Sequence, residues 1–192
     1  MPLKIAEEYK SLWDSVINDV GLEKELAIIE KRIIAGVDSY LHVANELGIP
    51  WEIVASIHEM ESDCHFGTHL HNGDPLSSRT THVPKGRPKA DPKNGSVYTW
   101  SESAIDAFIY QAGVRNVALS FIRWNVEGAL GWLEAWNGYG YRKRNINSPY
   151  LWGKTNHYQK GLFTSDGKFN PEVRTKQIGC VPILKRLGFT PV

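Results

Sequence analysis

Two cysteines in 192 residues, Cys64 and Cys180, are too few for a disulfide framework or a four-ligand zinc site, so the chain must fold on its apolar core. Charge of one sign is also scarce. The 22 basic and 21 acidic residues leave a formal net charge of +1, without the field that holds nucleic acid or an anionic membrane non-specifically. No run of ~18 apolar residues occurs, which argues against stable membrane insertion as a helix. The opening residues, Met1-Pro2-Leu3-Lys4-Ile5-Ala6-Glu7-Glu8, carry acids where a secretory signal has an unbroken apolar stretch, so synthesis in the cytoplasm without a signal peptide is expected. Internal repeats and low-complexity segments are missing too, and no composition shift marks a second domain. One monomeric domain is the expectation, with helices in residues 1–47 as scaffold and the core in 48–192.

Aromatic residues, by contrast, are plentiful: seven Trp, eight Tyr and six Phe. Most belong to a core, while any left at the surface offer flat faces that stack on sugar rings.

Apolar periodicity predicts mainly helix. A first helix spans residue 3 to about 20. A second, the strongest in the pattern, runs from Leu22 to Leu47 through Leu26, Ile29, Ile33, Val37, Tyr40 and Leu41 and closes at Gly48. Gly48-Ile49-Pro50 caps that helix and opens the next, over Trp51 to about Cys64, with Ile53, Ile57, Met60 and Cys64 as its buried stripe. Residues 65–99 are polar and rich in Pro and Gly. They read as a long functional loop, with Asn94-Gly95 as the turn of a small hairpin. Thr99-Trp100-Ser101-Glu102 has the form of a capping box for a helix reaching about Ala112. Further helices are expected over Trp124–Trp136 and Pro171–Leu187.

Glu61 is the leading chemical candidate. Cleavage of a glycosidic bond needs a carboxyl that stays protonated near neutrality, and partial burial beside apolar groups favours the neutral form. Next to Ile57 and Met60 at the end of its helix, Glu61 is expected as a half-buried carboxyl facing a cleft. Asp74, in the Asn72-Gly73-Asp74-Pro75 turn, is the candidate for a second carboxylate, although those residues also make a good turn in their own right.

Taken together, Gly48-Ile49-Pro50-Trp51, Ile57-His58-Glu59-Met60, Glu61-Ser62, the polar loop and Asn137-Gly138-Tyr139-Gly140-Tyr141 resemble the lysozyme-like superfamily. The nearest likeness is to its goose-type lysozyme and lytic transglycosylase branch. His69 to Leu76, Trp100 to Ala107 and Asn147 to Lys160 further look like phage and bacterial cell-wall lysins, so that the likeness touches residues 48 to about 170. The resemblance implies a mainly α, lysozyme-like helical domain with a long loop or small β-hairpin region. It also implies a muramidase or lytic transglycosylase acting on peptidoglycan without a cofactor. Glu61 matches the acid and Ser62 its polar neighbour. Asn137, Tyr139 and Tyr141 match a turn that lines the substrate cleft, although Trp136 stands where that turn often has Tyr. His71, in the loop, is read as a further substrate contact. Where no second carboxylate acts, the resemblance implies Glu61 as acid and then base, with the substrate's N-acetyl group or 6-hydroxyl completing the reaction. An endolysin released through a holin-type pore, or carried in a virion, fits the chain's start and this likeness.

Two other classes of function stay open at this point. His58, His65, His69 and His71 with Glu59, Glu61, Asp63 and Asp74 offer zinc-type ligands for a cell-wall amidase or peptidase. His58-Glu59 begins like a zinc-protease signature, but Ser62 occupies the position where the second histidine belongs. A non-catalytic glycan-binding module is favoured if Glu61 points into solvent with no cleft beside it. Arg142-Lys143-Arg144 reads as a solvated loop, or as a contact for acidic peptide stems.

Overall fold

The computed structural model describes residues 3–165 and 167–191. The chain divides into two compact units, and the division does not follow the 1–47 and 48–192 partition. A central unit is continuous, Arg32–Ile122, and a terminal unit is built from the segments before and after it, up to Lys31 and from Arg123 onward. Helix dominates both, and no described helix is long and apolar enough to cross a membrane.

In the central unit, α3 (Val37–Leu47) packs against α4 (Trp51–Ser62) and α5 (Trp100–Val114). The long helix expected over Leu22–Leu47 is in fact two, α2 (Glu23–Ala35) and α3, parted at Gly36. A tertiary contact marks the junction. A β-carbon on Gly36 would lie 2.3 Å from the ring of Phe66, so only glycine lets that ring sit at the junction. Gly48 adopts the left-handed conformation that ends α3, and its N–H bonds Ala44 O; Pro50 then opens α4 in extended geometry. Every residue of α4 from Ile53 to Met60 is buried. Tyr40, His58, Phe66 and Trp100 form an aromatic cluster around it, the His58 and Trp100 ring centroids only 4.2 Å apart. The capping box is present in full: Thr99 accepts from the Glu102 N–H, and Glu102 accepts from the Thr99 N–H at 2.7 Å.

Residues 65–99 contain no strand, only an isolated bridge between Thr68 and Pro75, and Asn94-Gly95 turns no hairpin. Pro84, Pro88 and Pro92 each remove a ladder donor, and side chains share the joining with scattered backbone bonds such as Thr80 N–H to Arg87 O. Arg79, for example, donates to the carbonyls of Pro88 and Lys89.

In the terminal unit, α1 (Leu3–Asp14) lies on α6 (Val126–Asn137), α6 on the short α7 (Pro149–Trp152), and α7 on α8 (Cys180–Arg186). A two-stranded sheet lies here: β1 (Leu162–Ser165) and β2 (Lys168–Asn170) pair antiparallel, with Phe163 opposite Phe169. The expected C-terminal helix loses its first half. Residues 171–179 run as a loop in which Val173 O accepts from the Gly161 N–H, and Gly179 bonds Gly153 O so closely that a β-carbon would lie 2.4 Å from Leu151 O. α1 likewise stops at Asp14, well short of residue 20, and leaves Ile17 and Val20 exposed.

Candidate functional site

The exit of α4 is held from below by a buried charge. Glu59, 5 % exposed, receives Arg32 Nε at 2.9 Å on one oxygen and Arg32 Nη2 on the other, and the Cys64 thiol donates to it at 3.2 Å. Asp63 and Cys64 both take positive φ, and their N–H groups close onto Glu59 O and His58 O. The last turn of the helix is therefore fixed on charged and backbone contacts together. Ser62 belongs to the same arrangement, its hydroxyl donating to His58 O at 3.3 Å.

Glu61 stands on this turn and is exposed, not half-buried. Burial along α4 is continuous up to Met60 and stops one residue short of it. His58, one helical turn earlier, is enclosed. Burial lowers its pKa to about 4, Tyr40 Oη lies 2.9 Å from Nδ1 and His65 O lies 3.2 Å from Nε2, so it is a neutral member of the core. Burial also pushes the Cys64 thiol up to about 12. That thiol is no nucleophile at neutral pH.

The polar loop carries two knots. In one, Asp74 is buried and its carboxylate accepts from the N–H groups of Thr81 (2.7 Å) and His82 (3.0 Å), the His82 ring (2.6 Å) and the Asn72 amide (3.2 Å). The His82 backbone bond, then its ring, hold this carboxyl far below the usual carboxylate range. Asp74 thus corrects the expectation of a second catalytic carboxylate: its oxygens close the loop. In the other knot, His69 contacts Ser103 Oγ at 2.8 Å and Ser78 O at 2.8 Å, while His71 contacts Asp106 at 2.8 Å and Arg87 Nε donates to the same carboxylate at 2.7 Å. Burial lowers the His69 pKa. Burial opposes the charge on Asp106, but hydrogen bonds from His71 and the Lys89 N–H, with the charge of Arg87, outweigh it and keep its pKa low.

Ser103, His71 and Asp106 follow the order of a nucleophilic triad, with Ser103 Oγ 3.4 Å from His71 Nδ1. Ser103 is wholly buried, however, and its oxygen also accepts the Leu70 N–H, so the set ties loop to helix. For the same reason His71 is not a substrate contact: its side chain is 0 % exposed. Both nitrogens of His69 are likewise committed to protein atoms, and among the described residues no three of His, Cys, Asp and Glu are grouped as a metal site.

The other sequence candidates lie in the terminal unit. Asn137 ends α6 and is exposed, its amide donating to Ser148 Oγ at 3.4 Å. Tyr139 is 48 % exposed. Tyr141 is buried against Phe163 and accepts the Phe163 N–H at 3.1 Å, which corrects its reading as a cleft residue. Four of the seven tryptophans are buried, so Trp13, Trp51 and Trp136 are the ones with surface to offer a sugar.

A charged group that sequence reasoning missed also sits here. Glu134, on the buried side of α6, binds the Tyr9 hydroxyl and Arg142 together, and Arg142 reaches Glu8 as well. Burial, then Glu134, raises the Tyr9 pKa well above the usual phenol value. Burial disfavours the charge on Arg142, but Glu134 outweighs it and the guanidinium stays charged. The run Arg142-Lys143-Arg144 is accordingly not a solvated loop throughout, since Arg144 lies over the Phe169 ring at 4.4 Å and Lys143 alone is exposed without such a role. The missed signal was spacing. Glu134 and Arg142 bracket the Asn-Gly-Tyr turn, one at the end of the helix and one just beyond it.

No protein-family model, curated protein or solved structure matches this chain.

Proposed function

We propose that this chain is a peptidoglycan-cleaving glycosidase in which Glu61 is the catalytic acid. The observation that carries the reading is the contrast between the two carboxylates of the last turn of α4. Glu59 is buried and neutralised by Arg32, whereas Glu61 is exposed on the same braced turn, one residue beyond the buried run. A catalytic group gains from such a mount, because a rigid element holds it to a fraction of an ångström. A saccharide laid over Glu61 strips it of water, and desolvation favours the protonated acid that the first step needs.

With the oxygens of Asp74 committed to Thr81 and His82, the reading that follows is a lytic transglycosylase rather than a two-carboxylate hydrolase. Glu61 gives its proton to the glycosidic oxygen as the bond to the anomeric carbon breaks. The sugar's 6-hydroxyl then bonds that carbon, returning its proton to Glu61 and leaving a 1,6-anhydro end. Asn137 and Tyr139 are exposed in the terminal unit and are proposed as saccharide contacts of that unit by itself. Action at the bacterial wall as an endolysin, after release through a pore or from a virion, belongs to the same proposal. Export from cells without any phage protein would remove that part.

The test is clearing of isolated peptidoglycan, or of permeabilised cells, by wild type and Glu61→Gln in the presence of EDTA. The expected result is a loss of ~10²-fold or more in the variant, the scale of a missing general acid. Mass spectra of the fragments should show anhydro ends, and reducing ends would point to a hydrolytic muramidase. The exposure of Glu61 also favours a second reading, a glycan-binding module without activity. Binding of wild type and Glu61→Gln to peptidoglycan with equal affinity and no soluble fragments from either would establish that one.

A further inference from the structure

The terminal unit has a partly open cavity of about 240 Å³ whose wall has unbalanced charge. Glu8 and Glu134 set two carboxylates against one guanidinium, Arg142. Glu134 is only 2 % exposed, and Arg142 Nε and Nη2 reach it at 2.9 and 2.8 Å. The remaining reach of Arg142 goes to Glu8, Nη1 to Oε1 at 3.0 Å. Two negative charges and one positive leave a net charge of −1 on this trio. Its sequence neighbours do not cancel it: Arg144 lies over Phe169, and Lys143 is not part of the lining. The rest of the wall is uncharged, with Asn145, Asn147 and Ser148 beside Ile146 and the buried Trp152.

We propose that this cavity binds a small ligand through a primary ammonium group, carried by an amino sugar or by the side chain of a diamino acid. An ammonium supplies the missing positive charge and donates to carboxylate oxygens, bonds worth about twice those between neutral partners. Size limits the rest of the ligand. The cavity falls below the ~300–1,000 Å³ typical of pockets for drug-sized molecules, which suits one ring or one side chain. Anions are repelled by the same net charge. The inference does not rest on Glu61, and binding can be read without any cleavage.

The experiment is an NMR titration of the full chain, following the Trp152 indole and the Asn147 amide. Four probes form two pairs: glucosamine with N-acetylglucosamine, and Nα-acetyl-lysine amide with its Nε-acetylated form. Saturable shifts by an amine, with its acylated partner at least roughly tenfold weaker, support the proposal, and whichever amine binds identifies the source. Glu8→Gln should weaken the amine by about the same factor and Glu8→Asp should retain it. Equal binding of amine and acylated partner, or no shift with either amine, overturns the proposal in wild type alone, whatever the variants do. Loss of clearing by Glu61→Gln bears on the other reading and leaves this result untouched.

Discussion

Arg32 and Glu59 hold the exit of α4 with opposite charges in unequal surroundings, the carboxylate 5 % and the guanidinium 37 % exposed. Glu59→Gln leaves the guanidinium facing a neutral amide. The expected cost is ~2 kcal/mol, below the 3–5 kcal/mol of a wholly buried pair because Arg32 still reaches water. A urea midpoint that did not move would show that the pair adds nothing to stability. His58 carries a second prediction. Its folded pKa of about 4 lies below its ordinary 6.5, so between those values the unfolded chain binds the proton and the folded chain does not. Stability is therefore complete above pH 6.5 and declines as pH falls toward 4, by up to ~3 kcal/mol. Asp74 and Asp106, whose pKa values are depressed, add their own loss below the ordinary carboxylate range, so the two windows are separable. Denaturation at pH 7.5, 5.5 and 4.5 checks this, and a flat profile from 7.5 to 4.5 would exclude the His58 contribution.

At the scale of the element, Thr99 and Glu102 fix the start of α5. Thr99→Ala should cost about 1 kcal/mol and Thr99→Ser almost nothing, read as a shift in melting temperature. This cap was legible in four consecutive residues because all of its partners lie within them. The entry of α4 through Pro50 was legible for the same reason. The close packing at Gly36 was not: the Phe66 ring that lies where a β-carbon would sit is thirty residues along the chain. α8 shrank through a similar long-range contact, the backbone of Gly179 against that of Leu151 and Gly153. The β-hairpin does have a local signal, Phe163 and Phe169 flanking Gly167, but the turn residues of 65–99 are the denser cluster. Among site residues, Glu61 could be singled out from its motif, whereas its exposure depends on where the packing around α4 ends. Glu134 offered only its spacing to Arg142, and a Glu in a helix reads as solvated until Tyr9 and Arg142 are brought to it.

Each compact unit holds one cysteine, and both are buried with no disulfide: Cys64 in the central unit and Cys180 in the terminal one. Neither should react with a thiol reagent in native buffer, and each should react as its own unit opens. Single Cys→Ser variants followed through a urea series would assign an opening free energy to each unit. A fast reaction of Cys64 in native buffer would contradict both its burial and its raised pKa. The terminal unit is also discontinuous in sequence, with the whole central unit between its halves. Tyr9 and Glu134 are 125 residues apart, a stretch that a ribosome takes roughly 6–25 s to make at ~5–20 residues per second. For that interval α1 waits with its apolar face and Tyr9 uncovered, while the central unit is made within it and has its full sequence, ending at Ile122, before Glu134 is added. The nascent chain is thus half folded and half waiting, and α1 is the segment a chaperone would have to hold.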